Sequence, residues 1–212
     1  MAAFRMTGPE RRHQILSVTL DVISEHGLQG ATNARIARAA GISEKMLYVH
    51  FASRKELLLS ALDLVFDRAS KILRSCDGAD ALERLREVSR AKWASLESQS
   101  DGYVGPLFEF FAGSRELGLR EYIRAKLQGT LDEIEAIVDQ GKAQRVIASD
   151  VDSDQVAWEF LSVMMSEDVY FLAGFGQSET TGRSNILLER VLRDIGLEIP
   201  ASAELAAQTQ EV

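Results

Sequence analysis

Residues 32–58, TNARIARAAGISEKMLYVHFASRKELL, constrain this chain more than any other stretch. Ile36, Ala37 and Ala40 recur at helical spacing and give a short helix one apolar face. Gly41 follows at once, where a left-handed residue ends a helix without a Cβ clash. Ile42 can plug the corner, and Ser43 is placed to cap a second helix running from Glu44 to Phe51. Leu47 and Phe51 supply the buried side of that helix, which leaves Glu44, Lys45, Met46, Tyr48 and His50 facing outward. Ser53-Arg54-Lys55-Glu56 has the spacing of a capping box and opens a third helix. A short helix, a glycine turn and a second helix with polar and aromatic residues outward is the shape that enters a DNA major groove.

A formal charge of −8 over 212 residues looks wrong for a DNA binder until the chain is divided. Residues 1–55 carry eight basic residues (Arg5, Arg11, Arg12, Arg35, Arg38, Lys45, Arg54, Lys55) against four acids (Glu10, Asp21, Glu25, Glu44), a net of +4, which leaves −12 for the rest. A basic reading head on an acidic body predicts such a split, and the acidic part discourages indiscriminate coating of DNA. Chance segregation of charge gives the same pattern, so the split supports DNA contact without establishing it.

Three prolines and no alternating apolar run favour an all-α fold. No segment reaches the roughly 18 uninterrupted apolar residues of a membrane span. MAAFRMTGPERRH lacks the apolar core of a secretory signal, so the expected compartment is the cytoplasm. One cysteine, Cys76, excludes an internal disulfide. Exposed beside Arg74 it would be a redox sensor; a lone thiol at a helix end is more often inert.

Thr7-Gly8-Pro9-Glu10 starts a helix expected to end at Gly27, with Ile15, Leu16, Thr19, Leu20, Val22 and Ile23 inward. The motif helices follow at about 33–40 and 44–51, then a linking helix at about 54–75. Further helices are expected at about 79–98, 104–113, 115–140, 154–174 and 183–195, about nine in all. Asp150 to Asp154 forms an acidic cap, Gln177 to Ser184 reads as a loop, and 201–212 reads as a tail that frays. The domains expected are a helix-turn-helix DNA-binding head (1–55) and a helical effector-binding and dimerisation body (56–200).

Thr32, Ile36-Ala37, Ala40-Gly41-Ile42-Ser43, Leu47-Tyr48, His50-Phe51, Ser53-Arg54 and Glu56-Leu57-Leu58 together resemble the N-terminal domain of the tetracycline-repressor (TetR) family of bacterial transcriptional regulators. The resemblance covers roughly Arg11 to Leu62. It implies that Thr32 and Asn33, at the start of the first motif helix, hold a phosphate, and that Tyr48 meets the DNA backbone or a thymine methyl with His50 beside it. Tyr48 as a partly buried core tyrosine is the alternative. Arg54 stands where the family usually has a phosphate-gripping Lys. Ser43, Glu44, Lys45 and Met46 complete the expected DNA-binding set. Family members often carry a small residue, Gly or Pro at position 45 and Thr at 46, so this chain departs where bases are read. Glu44 can accept from a cytosine amino group, Lys45 can reach guanine and Met46 a thymine methyl; Glu44 is equally a good first-turn residue that complements the helix dipole.

The resemblance also implies a homodimer built from the last two helices, with Val156, Phe160, Val163 and Met164 on one and Ile186, Leu187, Val191 and Leu192 on the other. The same stripes serve equally as intramolecular core. Trp93, Tyr103, Phe108, Glu109, Phe111, Trp158, Met164 and Met165 are the candidate lining of an effector pocket, against the alternative of plain core. Glu167 is expected to face water or pair with an Arg. His13, His26 and His50 lack partners with metal-ligand spacing, and no HExxH, GxSxG or phosphate loop occurs, so neither enzyme chemistry nor a metal or cofactor is expected.

The resulting expectation is a bacterial, cytoplasmic, homodimeric repressor, on the nucleoid when bound, released from a palindromic double-stranded DNA operator by a small apolar or amphipathic molecule. The rivals are a constitutive or architectural DNA-binding regulator with no effector, an all-helical enzyme, and an interaction protein that has kept the fold but lost DNA binding.

Overall fold

Thr7 caps the first helix as its sequence suggests. Its hydroxyl accepts the Glu10 N–H while the Glu10 carboxylate accepts the Thr7 N–H at 2.7 Å. In the computed structural model, which describes residues 6–97, 103–115, 117–175 and 177–197, this helix is α1 (Gly8–Gly30). Gly27, at φ 69°, breaks it where the end was expected, but Leu28–Gly30 continue as one further kinked turn. The expected tail at 201–212 lies outside the described residues.

The motif helices are α2 (Asn33–Ala39) and α3 (Glu44–His50), joined through Gly41 at φ 66°. Thr32 and Ser43 cap them by accepting the N–H groups of Arg35 and Met46. Then comes α4 (Arg54–Ser75), where the expected capping box is shifted by one residue. Ser53 accepts the Glu56 N–H, but the Glu56 carboxylate accepts from Ala52 at 2.7 Å instead of Ser53. Arg12, 3.1 Å from Glu56, draws that carboxylate aside.

The body holds α5 (Ala81–Glu97), α6 (Val104–Gly113), α7 (Arg120–Gln144), α8 (Ser153–Leu172) and α9 (Gln177–Ile195). Asp152 caps α8 by accepting from Asp154 and Gln155. Two expectations shift. Helix α7 starts at Arg120 after a turn through Leu117 and Gly118, and the polar stretch read as a loop from Gln177 is the first part of α9. That stretch contains no proline, and polar composition alone does not forbid a helix.

Among the described residues two large apolar cores stand out beside a small cluster around Trp93. The first joins α1, α2 and α3 (Ile15, Leu20, Ile36, Leu47, Phe51) to Leu57, Leu58, Ala61 and Leu62 of α4, and to Phe110, Leu119 and Ile123 from the body. Position 55 is therefore followed directly by residues of the head's own core. The second core packs α5, α7, α8 and α9 around Leu85, Ile134, Val138, Phe160 and Leu192. Arg86 forks onto Glu189 at 2.8 and 3.0 Å, and a short antiparallel bridge between Ile147 and Gly196 ties down the end of α9.

The stripe expected to face a second copy is partly inverted. Val156, Phe160, Val163, Met164 and Leu192 are buried inside this chain. Outward apolar area on α8 and α9 comes instead from Trp158, Val169, Tyr170, Phe171, Leu172, Ile186 and Leu187. Periodicity located both faces of α8 but could not say which one met α7.

Candidate nucleic-acid interface

Helix α3 is only seven residues long, too short to be stable without tertiary support. Leu47 and Phe51 anchor it, at 2% and 1% exposure. Glu44, Lys45, Met46, Tyr48 and Val49 are exposed, and His50 is half-buried. Of the residues expected outward on α3, all but His50 are thus exposed. Val49, 69% exposed, belongs with them and was missed. With Leu47 and Phe51 inward at i and i+4, a helix this short leaves position 49 outward, so the signal was present. An isopropyl group there suits a thymine methyl.

Two arginines brace this surface from behind. Arg12 donates to the carbonyl oxygen of His50 at the end of α3, reaches Ser60 at 3.0 Å, and lies 4.1 Å over the Phe51 ring. Nothing in the motif pointed to Arg12, which lies 38 residues away in α1. Arg54 does not project outward as a phosphate grip. Its guanidinium donates to the carbonyl oxygens of Ala31 at 2.6 Å and Leu28 at 3.2 Å, and to Asn33 Oδ1 at 3.2 Å. The kinked end of α1 presents those carbonyls, with their partial negative charge, directly to it. Partial burial lowers the Arg54 pKa, opposed by neighbouring Tyr48. Lys55, the next residue, is the exposed cation at the start of α4.

Asn33 joins the two motif helices. Its Nδ2 donates to the Tyr48 hydroxyl at 2.6 Å while its Oδ1 accepts from Arg54. Its side-chain amide is thus engaged within the head, and Thr32 is a helix cap whose own N–H donates to Gly30. Arg38 and Lys45 are exposed on the same domain.

In the body, a partly open cavity of about 110 Å³ lies between α4, α5, α6, α7 and α8. Phe66, Ile72, Val88, Leu127, Phe160 and Met164 are among its apolar walls, and Lys92 and Asp168 stand at a polar end. Of the eight residues expected to line an effector pocket, Met164 and Met165 border this cavity. Trp158 is 53% exposed on the outer face of α8. Trp93 is buried with Leu96 and Val104, against Phe108, and donates its indole N–H to Glu167 at 2.6 Å. Tyr103 and Phe111 pack on the head core, Tyr103 beneath the Arg68 guanidinium. Glu109 accepts the Leu28 N–H at 2.9 Å. The reason is common to several: α6 lays much of its apolar run against α1.

Glu167, expected to face water or an Arg, is fully buried. Lys92 lies 3.6 Å from it and 2.8 Å from Asp168, and also donates to the Met164 carbonyl. Burial raises the Glu167 pKa, opposed by Lys92, Trp93 and Ser184. Cys76 is buried, and burial pushes its thiol up, which describes an unreactive thiol. A larger groove of about 490 Å³ opens on the outer face of α8 and α9, lined by Tyr170, Phe175, Arg183, Ile186 and Leu187 among others. Among the described residues no cluster of His, Cys, Asp and Glu is placed to hold a metal, and no helix is long and apolar enough to cross a membrane.

Residues 15–61 match the family model described as bacterial regulatory proteins, tetR family. Over 101 residues the chain is 34% identical to the HTH-type transcriptional activator FasR of Mycolicibacterium smegmatis, covering 47% of this chain and 46% of that protein. Over 91 residues it is 37% identical to the HTH-type transcriptional repressor KstR2 of Mycobacterium tuberculosis, covering 41% and 44%. The matches thus span less than half the length of these curated relatives. The solved structure of the ketosteroid transcriptional regulator KstR2 superposes with a TM-score of 0.60 at 24% identity, over 93% of this chain and 100% of that one. A transcriptional regulator from Rhodococcus sp. Rha1 superposes at 0.73 and 18% identity, over 88% and 98%. At such identities the likeness establishes the fold, through head and body alike.

Proposed function

The chain belongs to the TetR family of bacterial regulatory proteins, and from that premise we propose that it is a homodimeric repressor that binds a palindromic operator and is released by a small apolar or amphipathic molecule. The observation that carries the DNA-binding half is the α3 surface: Glu44, Lys45, Met46, Tyr48 and Val49 outward on a helix pinned by Leu47 and Phe51 and braced by Arg12 and Asn33. Glu44, Lys45 and Met46 are the base-reading positions, Tyr48 and Lys55 the backbone contacts, and the Lys45 charge adds to the attraction of the phosphates as it enters the groove.

Dimerisation is supported by the exposed apolar face of α8 and α9, since an apolar patch rimmed by polar residues marks an interaction surface. A dimer presents two α3 helices to half-sites about 34 Å apart, so a change in their separation prevents both from docking. This cavity is where a ligand would act, because α4, which carries part of its wall, also supplies Leu57, Leu58 and Ala61 to the head core. A coupling of about 1–3 kcal/mol shifts operator occupancy five- to 150-fold.

One observation favours a second reading, a regulator with no effector. A cavity of about 110 Å³ is smaller than the roughly 150 Å³ that admits benzene, so a larger ligand must either protrude from its mouth or part the helices. A thermal-shift screen of apolar and amphipathic compounds decides between the two: a hit that also lowers DNA affinity supports the effector, and hits without effect on DNA reject it. The DNA-binding half is tested with a random-sequence duplex at low salt. Tyr48→Ala and Lys45→Ala should weaken binding while leaving the dimer mass unchanged, and wild-type binding by both would refute the assigned surface.

A further inference from the structure

Resting on the DNA-binding reading above, we infer that Asn33 and Arg54 set the hydrogen-bond polarity of Tyr48, so that the tyrosine meets a DNA phosphate as a proton donor. A guanidinium only donates. Arg54 lies 3.2 Å from the Asn33 side-chain oxygen, so Oδ1 faces the arginine and Nδ2 must face the tyrosine, 2.6 Å away. The opposite amide orientation would set donor against donor. Arg54 itself is held by the carbonyl oxygens of Ala31 and Leu28, which keeps the sequence of donors from reversing.

The amide N–H therefore occupies a lone pair of the Tyr48 oxygen, and the phenolic proton points away from Asn33. Tyr48 is 49% exposed on the outer surface of α3, where the acceptor of highest charge on a docked duplex is a phosphate oxygen. Donors run in one direction, from Arg54 to Asn33 to Tyr48 to DNA, and each bond polarises the next. Asn33 is a positioning residue in this arrangement, and so is Arg54. Position 33 must both accept and donate, which Asn does and Asp does not.

Asn33→Asp is the informative substitution. A carboxylate of the same size accepts from Arg54 and from Tyr48 together, turning the phenolic proton inward and leaving DNA without its donor. The added negative charge weakens DNA binding by itself, so the test is a double-mutant cycle with Tyr48→Phe on the best duplex recovered from a random pool. In the wild-type background Tyr48→Phe should weaken binding about tenfold or more, the loss of one hydrogen bond to a charged acceptor. In the Asn33→Asp background the same change should alter it by less than about twofold. Equal factors in both backgrounds overturn the inference while leaving DNA binding intact; a wild-type protein that binds no duplex overturns both. A readout without DNA guards against misfolded variants: Tyr48→Phe should shift the Asn33 side-chain amide resonance in the free protein, and an unmoved resonance also overturns the inference.

Discussion

The Glu109 carboxylate accepts the backbone N–H of Leu28 at 2.9 Å, and so bonds the body to the kinked last turn of α1 in the head. Leu28 in turn gives its carbonyl oxygen to Arg54, the residue that bonds Asn33 behind Tyr48. One head residue is thereby fastened on one side to α6 and on the other to the brace of the reading helix. Leu107, on the same short helix as Glu109, lines the body cavity. Glu109 is thus an internal cap, where its sequence context among Leu107, Phe108, Phe110 and Phe111 suggested a ligand-facing acid.

Glu109→Ala should lower stability by about 1–3 kcal/mol, because the Leu28 N–H loses its acceptor within a partly buried contact. Glu109→Gln keeps a carbonyl oxygen in reach and should recover most of that loss. Denaturant unfolding of the two variants checks this, and equal destabilisation by Gln and Ala would reject the cap.

Gly27→Ala should be destabilising in its own right. At φ 69° an alanine is strained, and its Cβ would lie 3.2 Å from Glu109 Oε2. A loss of about 1–3 kcal/mol is expected for such a site. Unfolding of Gly27→Ala alone and combined with Glu109→Ala separates the two effects: relief of the contact should make the double variant less unstable than the sum.

Arg54→Ala should destabilise the head as well as weaken DNA binding, since three acceptors lose a charge-assisted donor. Arg54→Lys should restore little, because an ammonium lacks the planar fork that spans Leu28, Ala31 and Asn33. A simple phosphate grip predicts the contrary pattern, with unfolding temperature unchanged and the Lys variant active. Thermal unfolding alongside duplex binding distinguishes them.

The motif's boundaries were legible in the sequence because short-range chemistry sets them. Thr32, Ser43 and Ser53 cap, Gly41 turns, and Leu47 and Phe51 choose the buried side. What sequence could not supply was which neighbour each side chain meets. Arg54 turns inward only because the Gly27 kink brings two carbonyl groups beneath it, and the Asn33–Tyr48 bond spans 15 residues. Trp158 and Phe160, two positions apart on α8, lie on opposite sides of the wall, one outside and one inside. Glu167 was misread for the same reason: its Trp93 partner lies 74 residues away.

Glu167→Gln should stabilise the protein near neutral pH. Burial raises the carboxyl above its usual 4.5, so the folded chain holds this proton more tightly than the unfolded chain does. The resulting penalty is absent well below 4.5, grows as pH rises through that value, and is complete above the folded-state value. Gln keeps an oxygen for the Trp93 indole and leaves Lys92 paired with Asp168. The difference in unfolding temperature between variant and wild type should therefore widen from about pH 4 to about pH 7. A difference independent of pH would show that Glu167 ionises alike in both states.

Ile186→Glu places a charge in the exposed apolar face of α8 and α9, where the isoleucine is 59% accessible. If that face joins two copies, the variant should sediment as a folded monomer and lose about a hundredfold or more in DNA affinity through loss of bivalency. A variant that still sediments as a dimer would place the interface elsewhere.

The central claim, that the α3 surface of a dimer reads a two-fold DNA site, is tested most directly by selecting bound duplexes from a random pool and titrating the best one with salt. The account predicts an inverted repeat with half-sites one helical turn or a multiple of it apart, about 34 Å per turn. Affinity should fall steeply with salt, and Lys45→Ala should reduce that slope by about one. A pool that enriches no sequence, or a duplex whose binding ignores salt and Lys45, would contradict it.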